Sequence, residues 1–371
     1  MRFAPLRIVV APLLSALSLA SSSTRAEELP GWVQAVKEPL VLNRSTPPAY
    51  LEVTQTATIA RPQPLTKIDD LEKLNPGLLE VMPTLRGLIE SGTVSSKFKK
   101  LYDTKIESVK NGDWMSAGTF FDCATVLNVK DAKSGRRAVI FQSDMETCTD
   151  GSDPERFSLL SEYDDARLSR SYQPILAYSW AKAADDSATS PFLKFYDDTL
   201  GQLRELKKQV DGFVQADRGA FWPDVQKYVD DHLTRIDKRA AYFRPDLQSR
   251  RSLIASLDPY IVIPSTWVDE KLRVGDYAAV IYAGRIYPCL IGDTGPTTKT
   301  GEASQKLAQA LNPKASGRVS AVTVPGVTYI AFPGTRTEMG APDWAKIEKD
   351  VARLLEEIGG LGSGVKLHSW E

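Results

Sequence analysis

The sequence predicts an α+β protein: a small β-barrel core of double-psi-like type, with N-terminal helices, an inserted helical hairpin and a C-terminal helix. Three patterns carry that reading. Runs of β-branched and aromatic residues at 120–129, 138–141, 260–264, 277–282, 286–291 and 327–332 have the composition of short buried strands. Between the second and third of these, residues 192–245 change to apolar spacings of three and four, the mark of amphipathic helices. A last stripe, Ile347, Val351, Leu354, Leu355 and Ile358, repeats that spacing over residues 344–358.

Taken in order, residues 1–26 form a secretory signal peptide. Arg2 and Arg7 precede an apolar stretch from Ile8 to Ala20, and small residues lead to Ala26, so cleavage is expected after Ala20 or Ala26. The stretch is about 13 residues and is broken by Pro12, short of the roughly 20 that span a bilayer. The expected location is secreted or periplasmic, with no membrane attachment after cleavage. Residues 27–116 follow as an extended leader and a helical segment, with Pro76 and Pro83 punctuating the helices.

Residues 117–190 read as the first part of the barrel domain, two strands joined through residues 131–135 and followed by a polar loop bearing Asp144, Glu146, Asp150 and Asp153. Residues 191–250 form the inserted hairpin. Its first stripe is Tyr196, Leu200, Leu203, Leu206, Val210 and Phe213; its second is Val225, Val229, Leu233, Ile236, Ala240 and Phe243. Gly219 lies in the connection and Pro223 near the start of the second helix, and a short turn makes the two antiparallel. His232 borders the second stripe and reads as packing. Residues 251–371 complete the barrel, with a turn at Ala283–Gly284–Arg285, a short helix over 301–311 capped by Thr300, and the closing helix.

Composition narrows the chemistry. Hydrophobic residues are 42% and charged residues 25% of the 371, ordinary globular usage that argues against wholesale disorder. A net charge of −1 removes the electrostatic basis for nucleic-acid binding. Loss of Arg2, Arg7 and Arg25 with the signal peptide leaves the mature chain mildly acidic. The two histidines and three scattered cysteines form no CxxC, HxH or HExxH spacing, so no metal site and no cofactor are expected. Cys289, in an apolar run, reads as a buried free thiol, and Cys123 with Cys148 is the pair favoured for a disulfide in an exported chain.

Carboxylates remain as the chemical resource. In residues 290–304 an apolar strand runs into Gly292–Asp293–Thr294–Gly295, which places Asp293 on a tight turn. Gly301 then opens a helix with Glu302 in its first turn, so both acids lie near one rim. Glycosidic hydrolysis needs such a pair: one acid protonates the leaving oxygen and one carboxylate activates water or attacks carbon. Each residue also has a structural role open to it, since Asp in a turn caps its own backbone and Glu in a first helical turn favours the helix dipole.

The segments Tyr260–Pro264, 275–282, 292–296 (Gly–Asp–Thr–Gly–Pro), 301–304 (Gly–Glu–Ala–Ser) and 328–334 resemble the glycoside hydrolase family 75 chitosanases in order and spacing. A weaker likeness runs over residues 138–151, a strand entering an acidic loop. Together the resemblance covers residues 118–185 and 255–335, about 40% of the chain. It implies an endo-acting enzyme that cleaves β-1,4 bonds of chitosan with inversion, its catalytic pair falling on Asp293 and Glu302. Ala303 and Leu307 make the Glu302 neighbourhood the more apolar, so Glu302 is expected as general acid and Asp293 as base. Asp144, Glu146, Asp150 and Asp153 are expected to bind the amines of the polymer, and Trp267, Tyr282 and Tyr287 to stack on its sugars. Residues 146–151 depart from the family's acidic loop by placing Cys148 where an acid stands, and the hairpin and N-terminal helices have no evident counterpart. Two other readings stay open: a non-catalytic glycan- or protein-binding protein of the envelope or medium, and a hydrolase of another aminosugar polymer such as partly deacetylated peptidoglycan. A protein partner of the hairpin is not identified by the sequence.

Overall fold

Proline placement and apolar spacing divide the N-terminal region of this computed structural model into short helices. The structure describes residues 61–112, 119–151, 174–187, 190–216, 222–269, 272–336 and 338–370. The expected signal peptide, the leader up to residue 60, Asp153 and Gly219 lie outside the described residues. Helices α1 (Ile68–Leu74), α2 (Leu78–Val81) and α3 (Leu85–Glu90) are separated near Pro76 and Pro83, where a missing amide proton cannot continue a helix. Strand β1 (Thr93–Val94) adds a short edge, and α4 (Ser96–Lys110) starts where the Ser95 side chain accepts a hydrogen bond from Lys97 N. Ile68, Leu71, Leu78, Leu85, Leu101 and Tyr102 from these helices join one core with the barrel strands.

Strands β2 (Cys123–Lys130) and β3 (Arg137–Cys148) form an antiparallel pair. The chain then passes through β4 (Ser179–Ala181), the helices α5 (Pro191–Gln215) and α6 (Trp222–Ser249), and β5 (Arg250–Ser252). Because β4 and β5 pair antiparallel, the two ends of the hairpin lie side by side. The two helices pack on themselves. Tyr196, Leu200, Ile236, Ala240 and Phe243 form one apolar cluster, and Val210, Val225 and Val229 form another farther out. His232 is buried on α6.

Strands β6 (Tyr260–Pro264), β7 (Tyr277–Tyr282), β8 (Arg285–Gly295), β9 (Glu302–Ser304) and β10 (Val322–Ala331) complete the sheet. The order β3-β10-β7-β8-β6-β9 closes on itself through a β9–β3 pairing, giving a six-stranded mixed barrel with α7 (Gln305–Leu311) and α8 (Trp344–Glu357) added. The β6–β8 and β3–β9 pairs are parallel and the other barrel pairs antiparallel. Positive φ at Ala283 and Gly284 makes the two-residue turn joining β7 to β8, the geometry that follows the natural strand twist. Inside, Phe141 stacks on Tyr329 at 4.5 Å, and Trp267 meets Phe141 edge-on at 5.2 Å.

Four expectations are corrected. Asp293 is not on a tight turn but within β8, which runs to Gly295. The acidic segment after residue 141 is not a loop at its start: β3 continues to Cys148, so Asp144 and Glu146 are strand residues. Glu302 is not helical either. Residues 302–304 form β9, and α7 begins at Gln305 with Ser304, not Thr300, accepting a hydrogen bond from Leu307 N. The Cys123–Cys148 bridge does not form, and all three cysteines are buried free thiols.

Candidate active site

Closure of the barrel through β9 aligns four strands across one face. Val262 of β6 pairs with Asp293 of β8 on one side and with Glu302 of β9 on the other, and Glu302 pairs in turn with Glu146 of β3. Residues directly opposite in a ladder send their side chains to the same face, so Glu146, Glu302, Val262 and Asp293 form a row across the strands. Asp293 and Glu302 stand two strand spacings apart, about 10 Å between backbones.

A bulge aims Asp293 into that row. Ile261 pairs with Ile291 and Val262 with Asp293, so Gly292 is the extra residue on β8. Only glycine fits there: a Cβ would lie 2.5 Å from Tyr260 Cγ and 2.7 Å from Leu253 Cδ1. Gly295 leaves the floor open, since a Cβ on it would meet Val262 Cγ1 at 3.1 Å and Glu302 Oε2 at 3.2 Å.

The connection from β8 to β9 brings a cation that sequence reasoning missed. Lys299 forms an ion pair with Glu146, and both side chains are about a quarter exposed. A lysine in a threonine-rich loop reads as an ordinary surface residue; only the β3–β9 pairing reveals its place beside Glu302. Burial lifts the Glu302 carboxyl above its ordinary range, while Lys299 and a hydrogen bond from the Cys148 thiol pull it back down. Burial alone would depress Lys299, yet Glu302 and Glu146 leave its ammonium raised overall. Asp293 has less support. Burial pushes it up to about 7, Glu302 adds to the rise, and the opposing hydrogen bond comes from Thr294 N at 2.8 Å.

Behind this row lies a buried polar network, also missed. Lys105 of α4 donates to Asp122 at 2.6 Å and to the carbonyl of Thr119 at 2.5 Å, with both charged side chains enclosed. Asp122 accepts from Thr300 N at 3.1 Å, and the hydroxyls of Ser143 and Thr300 meet at 2.9 Å. Burial outweighs Lys105 and lifts Asp122 to about 6; it lifts Asp144, with help from Asp122 and Glu146, to about 9. The N-terminal helices thus hold the backbone that leads to Glu302.

The structure brings Asp293, Glu302 and Glu146 together and sets Asp144 just behind them. Asp150 follows Cys148 at the end of β3; its carbonyl accepts from the Tyr260 hydroxyl at 2.9 Å. The expected sugar platforms do not join them. Trp267 is fully buried against Phe141, so no face of its ring is open. Tyr287 is 3% exposed, packs against His368 and Trp370, and lies six residues before Asp293, about 20 Å along β8. Tyr282 ends β7 at the hairpin turn, farther still from the acids. Among the described residues no group of three or more His, Cys, Asp or Glu side chains is arranged to hold a metal ion.

Paired carboxyl groups with unlike surroundings are the resource that acid–base hydrolysis of a glycosidic bond draws on. Residues 207–366 match the model of the fungal chitosanases of glycosyl hydrolase group 75. The match covers less than half of the chain and supports a group 75 domain and a glycoside hydrolase of chitosanase-like type. The match takes in Asp293, Lys299 and Glu302 and starts within α5; β2 and β3, with the weaker upstream likeness, fall outside it. No curated protein matches the chain at a significant level. Among the described residues no helix is long and apolar enough to cross a membrane.

Proposed function

We propose that the protein is an exported endo-chitosanase that hydrolyses β-1,4 bonds with inversion, using Asp293 and Glu302. The observation that carries this reading is the row in which Val262 is flanked by the two acids. A backbone separation of about 10 Å suits the roughly 6.5–9.5 Å between carboxyl groups of an inverting pair better than the roughly 5 Å of a retaining one. Export is supported by the character of residues 1–26, and endo action by the family likeness.

The electrostatics favour the reverse of the roles expected from sequence. Asp293, raised to about 7 with no cation among the causes of its shift, is the better proton donor near neutrality. Glu302, beside Lys299 and the Cys148 thiol, is the better base. In the resulting step Asp293 gives its proton to the glycosidic oxygen as the bond to the anomeric carbon breaks. Glu302 takes a proton from the water that attacks that carbon from the opposite face. Asp293 ends as the carboxylate and Glu302 as the acid, and exchange with solvent restores both. Gly295 keeps the floor free for a sugar ring.

Purified mature protein is incubated with highly deacetylated chitosan while viscosity, reducing ends and the anomeric proton signals are followed. The expected result is an early viscosity drop and α-anomeric product before mutarotation. First appearance of the β-anomer would exclude inversion. Absence of cleavage by folded protein, with turnover of another aminosugar polymer, would move the substrate assignment to that polymer.

A further inference from the structure

We propose that Lys299 is a positioning residue that keeps Glu302 ionised, with Glu146 as the tether that holds the lysine in place. The inference rests on the reading of Glu302 as a catalytic group only for its consequence in turnover. Three features of the geometry lead to it.

First, Glu146 and Glu302 are direct partners across the parallel β3–β9 pair, so a cation bound to one lies against the other. Lys299 is that cation, ion-paired to Glu146. Second, the backbone just after Lys299 is fixed at the next two residues. Thr300 N donates to the buried Asp122, and the carbonyl of Gly301 accepts from Glu146 N at 2.8 Å. Gly301 itself, at φ +74°, turns the chain so that Lys299 and Glu302 both reach the row. Third, Lys299 is held in that place against a burial cost, with Glu302 and Glu146 as the acids that offset it, so its placement bears on the acid beside it.

Among the described residues, the titratable groups around Glu302 come from β3, β8 and the connecting loop. β3 supplies Glu146 and Cys148, β8 supplies Asp293, and the connecting loop supplies Lys299; Asp144 stands behind Glu146. Glu146 opposes ionisation of Glu302, the proposed step keeps Asp293 protonated and the Cys148 thiol is neutral, which leaves Lys299 as the charge in this set that favours it. Without the lysine, Glu302 would share its site with acids alone, and like charges at close range cannot all ionise near neutrality.

The test reads the carboxyl directly. Full-length mature protein carrying 13C-labelled glutamate is titrated by NMR, with the Glu302 signal assigned by its loss in Glu302→Gln. In Lys299→Met the midpoint of Glu302 is expected to rise by about one pH unit or more, as for loss of an opposite charge within contact range. Lys299→Arg is expected to restore it close to the wild-type value. The low-pH limb of kcat/KM should rise in step in the methionine variant. Lys299→Gln serves in its place should Lys299→Met not fold. An unmoved midpoint in a folded neutral variant would overturn the proposal. A moved midpoint with an unmoved activity profile would uphold the role of Lys299 and instead refute Glu302 as the base.

Discussion

Gly301 sits where the barrel, the buried polar network and the row of acids meet, and replacing it by alanine should be unusually costly. Its φ of +74° places it in the left-handed region, where a Cβ costs about 1 kcal/mol. The second cost is steric. A Cβ would come within 2.7 Å of Ser143 Oγ and closer still to the carbonyl and Oδ1 of Asp144, and a carbonyl in the middle of β3 cannot swing aside. Overpacking of that kind adds about 1–3 kcal/mol, giving roughly 2–4 kcal/mol in total. Gly334 supplies the control. Its φ is +76°, but nothing lies within 4 Å of its virtual Cβ, so Gly334→Ala should show the backbone cost of about 1 kcal/mol alone. Urea denaturation of both variants, followed by intrinsic fluorescence, measures the difference. Any adjustment at Gly301 also moves Glu302, the next residue, and a displacement of about 1 Å is enough to lower kcat by about 100-fold. Equal stability of the two variants, or wild-type turnover in Gly301→Ala, would refute the close packing of Gly301 on β3 as the source of the site's geometry.

Other consequences are as direct. Lys105→Met leaves Asp122 buried without its cation and should cost about 3–5 kcal/mol in chemical denaturation, whereas Lys105→Met combined with Asp122→Leu should recover much of the loss. Trp267→Ala should lower stability by about 3–5 kcal/mol and leave KM for the polymer unchanged, because its ring is core and not a sugar platform; a selective rise in KM would contradict that. With Asp293 raised to about 7 and needed protonated, kcat/KM should fall as pH rises through about 7. The stability linkage has the same sign: ionising a carboxyl whose folded pKa is raised penalises the fold above about 7, and the penalty disappears as pH falls towards the ordinary aspartate range. Asp293→Asn should remove this dependence on both counts, read from pH-resolved denaturation and from hydrolysis of a glycoside with an activated leaving group.

Much of the architecture is legible in the sequence because it is local. The spacing of Tyr196, Leu200, Val225, Val229 and Ile236 announces two helices whatever they pack against, and the β7–β8 hairpin is marked by apolar runs around Ala283 and Gly284. What escapes is set by distant pairing. A three-residue strand such as Glu302–Ser304 has no period to detect, and its identity comes from β3 on one side and β6 on the other. The same pairing gives Lys299 its meaning and puts Glu146 in a strand. Gly292 is visible as a glycine but not as the bulge that aims Asp293 into the row. Trp267 and Tyr287 carry no local sign of which side they face, and both belong to the packed interior. Lys105 and Asp122 lie on separate elements, so their pairing appears only when α4 is seated against the barrel.

The central claim is that Asp293 and Glu302 together carry the hydrolysis, and the most direct test compares Asp293→Asn and Glu302→Gln on deacetylated chitosan. Both changes keep the shape of the side chain and remove its ability to ionise, and circular dichroism with denaturation midpoints establishes that each variant is folded. The account predicts a fall in kcat of at least about 100-fold in each, the scale on which a single general acid or base contributes. Oligosaccharide release at near wild-type rates by either folded variant would contradict it.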